Sequence, residues 1–207
     1  PSGMIDLEAF RAVGAILATE GTGLSMLVEQ ATPARDLILE ICRHIDAVVY
    51  QEPTTGLYTV TLIRADYSVE DLVVLDESNC TLRVFERGSW TETKNQVRVT
   101  YIDRGDGFVE KTVQAQDLAA IEAMGGQVST QELSLRGFSK SALAQQAAAR
   151  ALVATSFPLA GMEIAANREA WSLRPGSPFV LNWPKLGISG LVGRVQRMGT
   201  GMLTDGL

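Results

Sequence analysis

The segment that decides the fold runs from Arg136 to Leu152 and reads RGFSKSALAQQAAARAL. It begins with a loop that contains Gly137 and two candidate N-cap residues, Ser139 and Ser141. Alanine has the highest intrinsic helix propensity, so the residues that follow are predicted to form a helix. Small side chains let a second backbone approach closely. The segment is therefore predicted to pack tightly against a sheet, and it carries no group equipped to break a covalent bond.

Three further helices are predicted from periodicity and capping signals. Residues 5 to 19 carry apolar side chains at helical spacing. Thr32 can cap a second helix, and Pro33 suits its first position because the missing N–H is not needed there. Asp117 can cap a short third helix. The buried face of the second helix is predicted to comprise Leu37, Ile38, Ile41, Cys42 and Ile45.

Much of the remaining chain consists of short segments rich in β-branched and aromatic residues, separated by turns. Ala47 to Tyr50 and Leu57 to Arg64 flank a turn with Pro53 and Gly56, which predicts a hairpin. Further strands are predicted at 72–75, 81–87, 96–102, 108–113, 128–135, 159–165, 178–183 and 191–198. The pattern predicts an α+β fold of antiparallel sheets with helices, whose strand-rich parts resemble a small barrel or sandwich. The absence of βαβ alternation argues against a doubly wound sheet.

Length and composition limit the possible functions. The chain has 207 residues and a net charge of −6 from scattered acids, which argues against a phosphate-binding nucleic-acid surface. No apolar run approaches the roughly 20 residues of a membrane span. Cys42 and Cys80 belong to no metal or disulfide pattern and are predicted to be small buried hydrophobes. Residues 201–207 read as a strand, a turn and the start of another strand, so we expect a fragment of a longer protein.

Few residues could carry chemistry. His44 is the single histidine, so a catalytic triad or a histidine-rich metal site would have to be built on it. It lies near the end of the second predicted helix, and a structural role is favoured. Asp103 and Asp106 flank Gly105, but the full ligand series of a calcium loop is missing, so a hairpin turn is predicted. The sequence predicts no catalytic, cofactor or metal site and favours a non-enzymatic protein.

The three tryptophans leave a second function open. Trp90, Trp171 and Trp183 could form a stacking platform for a sugar. Because basic residues are not interleaved with them, core or interface anchoring is the favoured interpretation. A carbohydrate- or receptor-binding module is kept as the alternative function, and a cell-wall hydrolase is a weaker third hypothesis because the sequence lacks a carboxylate pair.

Several motifs occur in an order that resembles one family. They are Asn95–Tyr101 with its acidic turn, Gly125-Gly126, Gly137-Phe138-Ser139, Leu173-Arg174-Pro175-Gly176, Gly187–Gly190 and Gly193-Arg194-Val195, preceded by Arg43–Asp46, Pro53–Gly56 and Leu62–Tyr67. Together they resemble the tail-tip hub region of the tip attachment, or host specificity, proteins of lambda-like siphophages and their prophage relatives. Relatives often carry an Asp where this chain has Ser177, which leaves the role of that acid unassigned here.

The resemblance implies a structural hub made of small β-barrel-like domains with helices. The expected domains are a helix-and-hairpin α+β domain at 1–104 and a strand-rich, barrel-like domain at 105–207, with the alanine-rich helix as connector. Three copies would form a ring that continues the tail tube and carries the host-recognition parts. The implied partners are other tail-tip, distal tail and tape-measure proteins, with a host receptor reached through regions C-terminal to this chain. The implied location is the virion tail tip, after assembly in the host cytoplasm.

Overall fold

The computed structural model describes residues 2–28 and 31–199, which contain four α-helices and ten strands. The helices are α1 Leu7–Thr19, α2 Ala34–Ile45, α3 Leu118–Ala123 and α4 Ser141–Thr155. The strands are β1 Ala47–Gln51, β2 Tyr58–Leu62, β3 Val74–Leu75, β4 Cys80–Arg87, β5 Gln96–Asp103, β6 Val109–Gln116, β7 Thr130–Ser134, β8 Ala160–Ala166, β9 Pro178–Trp183 and β10 Ile188–Arg194. The α+β class predicted from the sequence is confirmed, and within the described ranges no sheet closes into a barrel.

Two compact units are assembled from alternating segments of the chain. The first unit comprises 1–13, 46–86 and 161–207, and the second comprises 14–45 and 87–160. This division differs from consecutive domains at 1–104 and 105–207. Residue 104 lies in the turn between β5 and β6, whose antiparallel register runs from Gln96 opposite Gln116 to Asp103 opposite Val109. Hydrogen bonds of that hairpin keep both sides of the turn in the second unit.

The core of the second unit lies between α4 and a three-stranded sheet. The strand order is β6-β5-β7, with β5 antiparallel to β6 and parallel to β7. Alternate residues of β5 point to one face and are buried there, as period-2 alternation requires. The buried residues that form this core are Val97, Val99, Tyr101, Leu135, Phe138, Leu143, Ala144, Ala147 and Ala148. The prediction that the alanine-rich helix packs against a sheet is therefore confirmed.

The start of α4 differs from the prediction. The N-cap residue is Lys140, and no side chain caps the helix, so the predicted capping by Ser139 or Ser141 is wrong. Backbone groups hold the preceding loop instead, because the Ile102 N–H donates to the Phe138 carbonyl at 3.2 Å. The predicted cap of α3 is confirmed, since the Asp117 carboxylate accepts from the Ala120 N–H at 3.0 Å.

The first unit contains three small sheets. The predicted hairpin of β1 and β2 is confirmed, with Ala47 opposite Leu62 and Gln51 opposite Tyr58. A second sheet has the order β10-β9-β3, and a third pairs β4 with β8. The contact between β3 and β9 is parallel, as is that between β5 and β7, so the predicted antiparallel sheets are in part mixed. The main core of this unit comprises Leu75, Cys80, Ala170, Leu173, Phe179, Leu181 and Ile188.

The N-terminal helix and the last predicted elements complete the fold. The predicted first helix is present as α1. The predicted strand at 191–198 begins earlier, as β10, and ends at Arg194. The segment 201–207, for which strand and turn were predicted, lies outside the described residues. Among the residues that the structure describes, no helix combines the length and the hydropathy needed to cross a bilayer.

Candidate functional site

Several of the motifs that carry the family resemblance contribute to two junctions, one in each unit. In the second unit, the His44 junction joins the end of α2 to the loop before α4. In the first unit, the Arg174 junction joins the turn after β1 to the loop before β9. At both, segments far apart in sequence are connected by polar contacts. Their geometry shows whether these residues perform chemistry or hold the fold.

The His44 junction uses both nitrogens of a fully buried imidazole. His44 is 0% exposed, and its Nε2 accepts from the Gly137 N–H at 2.9 Å. Nδ1 lies 2.7 Å from the Glu40 carbonyl, so it must be the nitrogen that carries the proton. The Phe138 ring packs edge-on at 5.0 Å between centroids. With both nitrogens engaged, His44 is a structural residue that has no lone pair available for a metal or a substrate.

Gly137 allows this junction to close. A Cβ at this position would lie 2.8 Å from His44 Nε2 and 2.9 Å from Met26 Cγ, which is closer than real Cβ atoms come. The Gly137 carbonyl also accepts from the Ser25 N–H at 2.8 Å. The absence of a side chain, rather than conformational freedom, is what this position requires.

The Arg174 junction is built on a bidentate ion pair. The guanidinium donates from Nε and Nη2 to the two carboxylate oxygens of Glu52, each at 2.7 Å. Nη1 donates to the Leu173 carbonyl at 2.7 Å. Both side chains are mostly covered, and a paired fork geometry of this kind is the strong form of an ion pair. The pair ties the Pro53 turn to the loop that contains Pro175.

A second arginine completes the same junction. Arg194 donates from Nη1 to the Gly176 carbonyl at 2.6 Å and from Nη2 to the Arg64 carbonyl at 2.9 Å. Its guanidinium lies 5.8 Å from the centre of the Tyr67 ring. The Ser177 hydroxyl accepts from the Arg174 N–H at 3.1 Å. These contacts hold the backbone segments of the junction in place, and none of them provides a reactive group.

The ion pair between Glu52 and Arg174 predicts how the stability of the fold changes at acid pH. Hydrogen bonds from Arg174 lower the pKa of Glu52 from 4.5 to about 2. A carboxylate whose pKa is lower in the folded than in the unfolded state stabilises the fold at any pH above its unfolded-state pKa. This stabilisation is lost as the pH falls through the folded-state pKa. We therefore expect Glu52→Gln to lower the melting temperature at pH 7, with the difference from wild type shrinking between pH 4.5 and 2.

Thermal unfolding followed by circular dichroism across that pH range measures the effect. Glu132→Gln is the matched control, because Glu132 is an exposed carboxylate on β7. Its melting temperature should differ little from wild type at any pH. A Glu52→Gln deficit that stays constant down to pH 2 would contradict the assignment.

The acidic turn after β5 is a hairpin turn with a salt-bridge network. Asp103 accepts from the Gly105 N–H at 2.9 Å, and Gly107 ends the turn in the left-handed conformation. Lys111 Nζ lies 2.9 Å from carboxylate oxygens of both Asp103 and Asp106. The hydrogen bonds from Lys111 lower the pKa of Asp103. The hairpin turn predicted from the sequence is confirmed.

The structure also shows the state of the two cysteines and the arrangement of the side chains that could bind a metal. Cys42 and Cys80 are free and buried, as predicted. The Cys80 thiol donates to the Asp76 carbonyl at 3.1 Å, and burial raises its pKa. Across residues 2–28 and 31–199, no group of three or more His, Cys, Asp and Glu side chains is arranged to hold a metal ion.

The three tryptophans are divided between the two units, with Trp171 and Trp183 in the first and Trp90 in the second. Trp183 packs against the core of the first unit and is half-buried. Trp171, in the same unit, is exposed, with the Arg174 guanidinium 5.9 Å from its ring centre. Trp90 belongs to the second unit and packs edge-on against Phe157, with 6.4 Å between ring centroids. Each unit therefore contains one exposed tryptophan, Trp171 in the first and Trp90 in the second.

The sequence contains no signal that some of these residues contact each other. Glu52 and Arg174 are 122 positions apart, and no spacing rule connects them. Arg174 lies within a motif of the family resemblance and Glu52 directly precedes another, Pro53–Gly56, but the motifs did not indicate the contact between the two residues. Gly137 was singled out as a loop glycine, whereas its close contact with His44 is visible only in the structure.

Comparisons with known proteins identify the family. A family described as "Putative phage tail protein" matches residues 33–198. A chain of the virion of the native gene transfer agent particle is 20% identical, with a TM-score of 0.53, over 90% of this chain and 43% of that chain. At that identity the likeness shows the fold alone. No curated protein matches the chain.

Two prophage proteins are also similar. The 43 kDa tail protein of prophage MuSo2 from Shewanella oneidensis is 12% identical, over 80% of this chain and 47% of that chain, with a TM-score of 0.45. Prophage tail protein gp18 from Listeria monocytogenes is 13% identical, over 82% and 49%, with a TM-score of 0.42. The chain spans less than half the length of each of these three proteins. Because the family match extends through both compact units, the chain belongs to this family of phage tail proteins.

Proposed function

We propose that the chain is a structural hub component of a phage tail tip. In this role three copies form a ring that continues the tail tube and carries the host-recognition parts. The observation that carries the proposal is the family match over residues 33–198, which includes both the His44 and the Arg174 junctions. Both junctions hold distant segments together through fully engaged polar groups. Rigid connections of this kind suit a protein whose function is assembly.

The proposed partners are other copies of the chain together with other tail-tip, distal tail and tape-measure proteins. A host receptor would be bound through regions beyond this chain. The proposed location is the tail tip of the virion, reached after assembly in the host cytoplasm. The resemblance to siphophage tip attachment proteins supports each of these assignments.

Purified tail particles provide the test. Antibodies against this chain should label the end of the tail distal to the capsid in negative-stain images. Quantitative mass spectrometry of the same particles should give three copies per tail. Labelling along the tube, or absence of the protein from purified tails, would contradict the proposal.

The second candidate function is carbohydrate binding at Trp171. The exposed indole with an arginine beside it is the observation that favours it, since aromatic faces with polar neighbours stack on sugar rings. A glycan array should then show binding that Trp171→Ala abolishes and that Trp183→Phe, a change at a half-buried ring, retains. Equal binding by both variants, or none by the wild type, would exclude this site.

A further inference from the structure

The two hydrogen bonds of the His44 junction require a neutral imidazole. Nδ1 lies 2.7 Å from the Glu40 carbonyl, which can only accept a hydrogen bond, so Nδ1 carries the single proton of the ring. Nε2 accepts from the Gly137 N–H at 2.9 Å. A second proton would have to bind at Nε2, where it would face the amide proton of Gly137. Because the imidazole is 0% exposed, solvent cannot reach the ring to accept this proton.

The charged groups near the ring do not remove this obstacle. One oxygen of the Glu40 carboxylate lies 3.6 Å from Nδ1, and the other pairs with Arg43 at 2.9 Å. A carboxylate favours a cationic ring, but this one lies on the Nδ1 side and cannot accept a proton from Nε2. On the loop side, Arg136 is paired with Glu110 at 2.7 Å, and the segment 24–28 carries no charged residue. The second proton can therefore be accommodated only when the loop moves away from Nε2.

Movement at Nε2 would separate α2 from the loop before α4 and leave that loop on the sheet. The bond from the Gly137 N–H to His44 joins the loop to α2. The next residue joins the same loop to β5, because the Phe138 carbonyl accepts from the Ile102 N–H at 3.2 Å. These two bonds involve different atoms and different partners. The first can therefore break while the second stays intact.

We propose that the His44 junction is an acid-sensitive latch. It holds α2 to the loop before α4 while the imidazole is neutral, and it releases α2 when the imidazole is protonated. A solvent-exposed histidine gains its second proton at about pH 6.5, whereas the closed latch excludes that proton. Each pH unit below that value favours the open state by up to about tenfold, because opening takes up one proton. Both parts of the latch belong to the second unit, and its operation does not rest on the proposed tail-tip role.

A pH titration followed by NMR tests the latch, because the single histidine of the chain gives one set of imidazole signals. In the ¹³C,¹⁵N-labelled 207-residue chain we expect the neutral Nδ1–H tautomer at about pH 8, and a separate signal from a protonated ring that grows below about pH 6.5. Amide exchange is measured on the same samples and corrected for the intrinsic pH dependence of exchange. Protection of the Gly137 N–H should fall by up to about tenfold per pH unit. Protection of the Leu135 N–H, which donates to the Thr100 carbonyl at 2.8 Å, should change little.

Two variants identify the group that responds to pH. In His44→Gln the amide oxygen of the new side chain can accept from the Gly137 N–H and does not titrate. Protection of the Gly137 N–H in this variant should be independent of pH over the same range. Glu40→Gln is the matched control, because it removes the nearest carboxylate and leaves both hydrogen bonds of the imidazole in place. The loss of protection in acid should persist in Glu40→Gln.

The other outcomes overturn the latch. A gradual shift of the histidine signal with unchanged Gly137 protection would show that the ring takes up the proton without opening. A constant signal and constant protection down to about pH 5 would show that the junction does not respond to acid. An equal loss of protection in His44→Gln, or no loss in Glu40→Gln, would assign the response to another group. The wild-type titration alone decides between the first two outcomes and the latch if His44→Gln does not fold.

Discussion

Gly137→Ala is expected to lower the free energy of unfolding by about 2–5 kcal/mol, because overpacking and loss of a buried hydrogen bond act together. The added methyl would lie 2.8 Å from His44 Nε2 and 2.9 Å from Met26 Cγ. To relieve these contacts the loop must move away from α2, and the bond from the Gly137 N–H to Nε2 then lengthens or breaks. Chemical denaturation followed by circular dichroism measures the loss.

The matched control is Gly161→Ala. Gly161 lies on β8, and a Cβ there would have no neighbour within 4 Å. Gly161→Ala should change the free energy of unfolding by less than about 1 kcal/mol, because its main effect is to reduce the conformational entropy of the unfolded chain.

A double-mutant cycle identifies the cause of the Gly137→Ala effect. In a His44→Ala background the imidazole and its hydrogen bond are already absent. Gly137→Ala should then cost much less than it does in the wild-type chain, because the two residues are in direct contact. The same cost in both backgrounds would contradict the steric explanation and point to the loop conformation itself.

Ala148→Leu is expected to lower the free energy of unfolding by about 1–3 kcal/mol through overpacking. Ala148 is fully buried where α4 meets the β5 sheet. Its Cβ lies in a layer whose thickness is set by alanine, so three extra carbons have to displace either the helix or the strand. Differential scanning calorimetry should show the corresponding decrease in melting temperature.

The neighbouring alanine provides the control. Ala149 is exposed on the same helix, one position further along. Ala149→Leu makes the same chemical change as Ala148→Leu, and leucine and alanine have similar helix propensities. The substitution should therefore alter the free energy of unfolding by no more than about 0.5 kcal/mol. If the two variants melt alike, the small side chains of α4 are not what allows the close packing.

The sequence by itself determined much of the local structure. Alanine propensity marked α4, apolar periodicity marked α1, and turn residues marked the β1–β2 hairpin; all three are present. Each signal spans only a few residues and describes which face of an element is apolar. The same signals indicated that Cys42 and Cys80 are buried.

The tertiary structure alone decided which elements meet. Period-2 alternation is the same for a strand in a parallel or an antiparallel pair, so the parallel contacts of β3 with β9 and of β5 with β7 were not predicted. The ion pair of Glu52 with Arg174 joins residues 122 positions apart. The space that requires a glycine at position 137 exists only once His44 is in place. These features depend on distances between segments, which a local pattern does not contain, because the folded chain sets them only when its elements pack together.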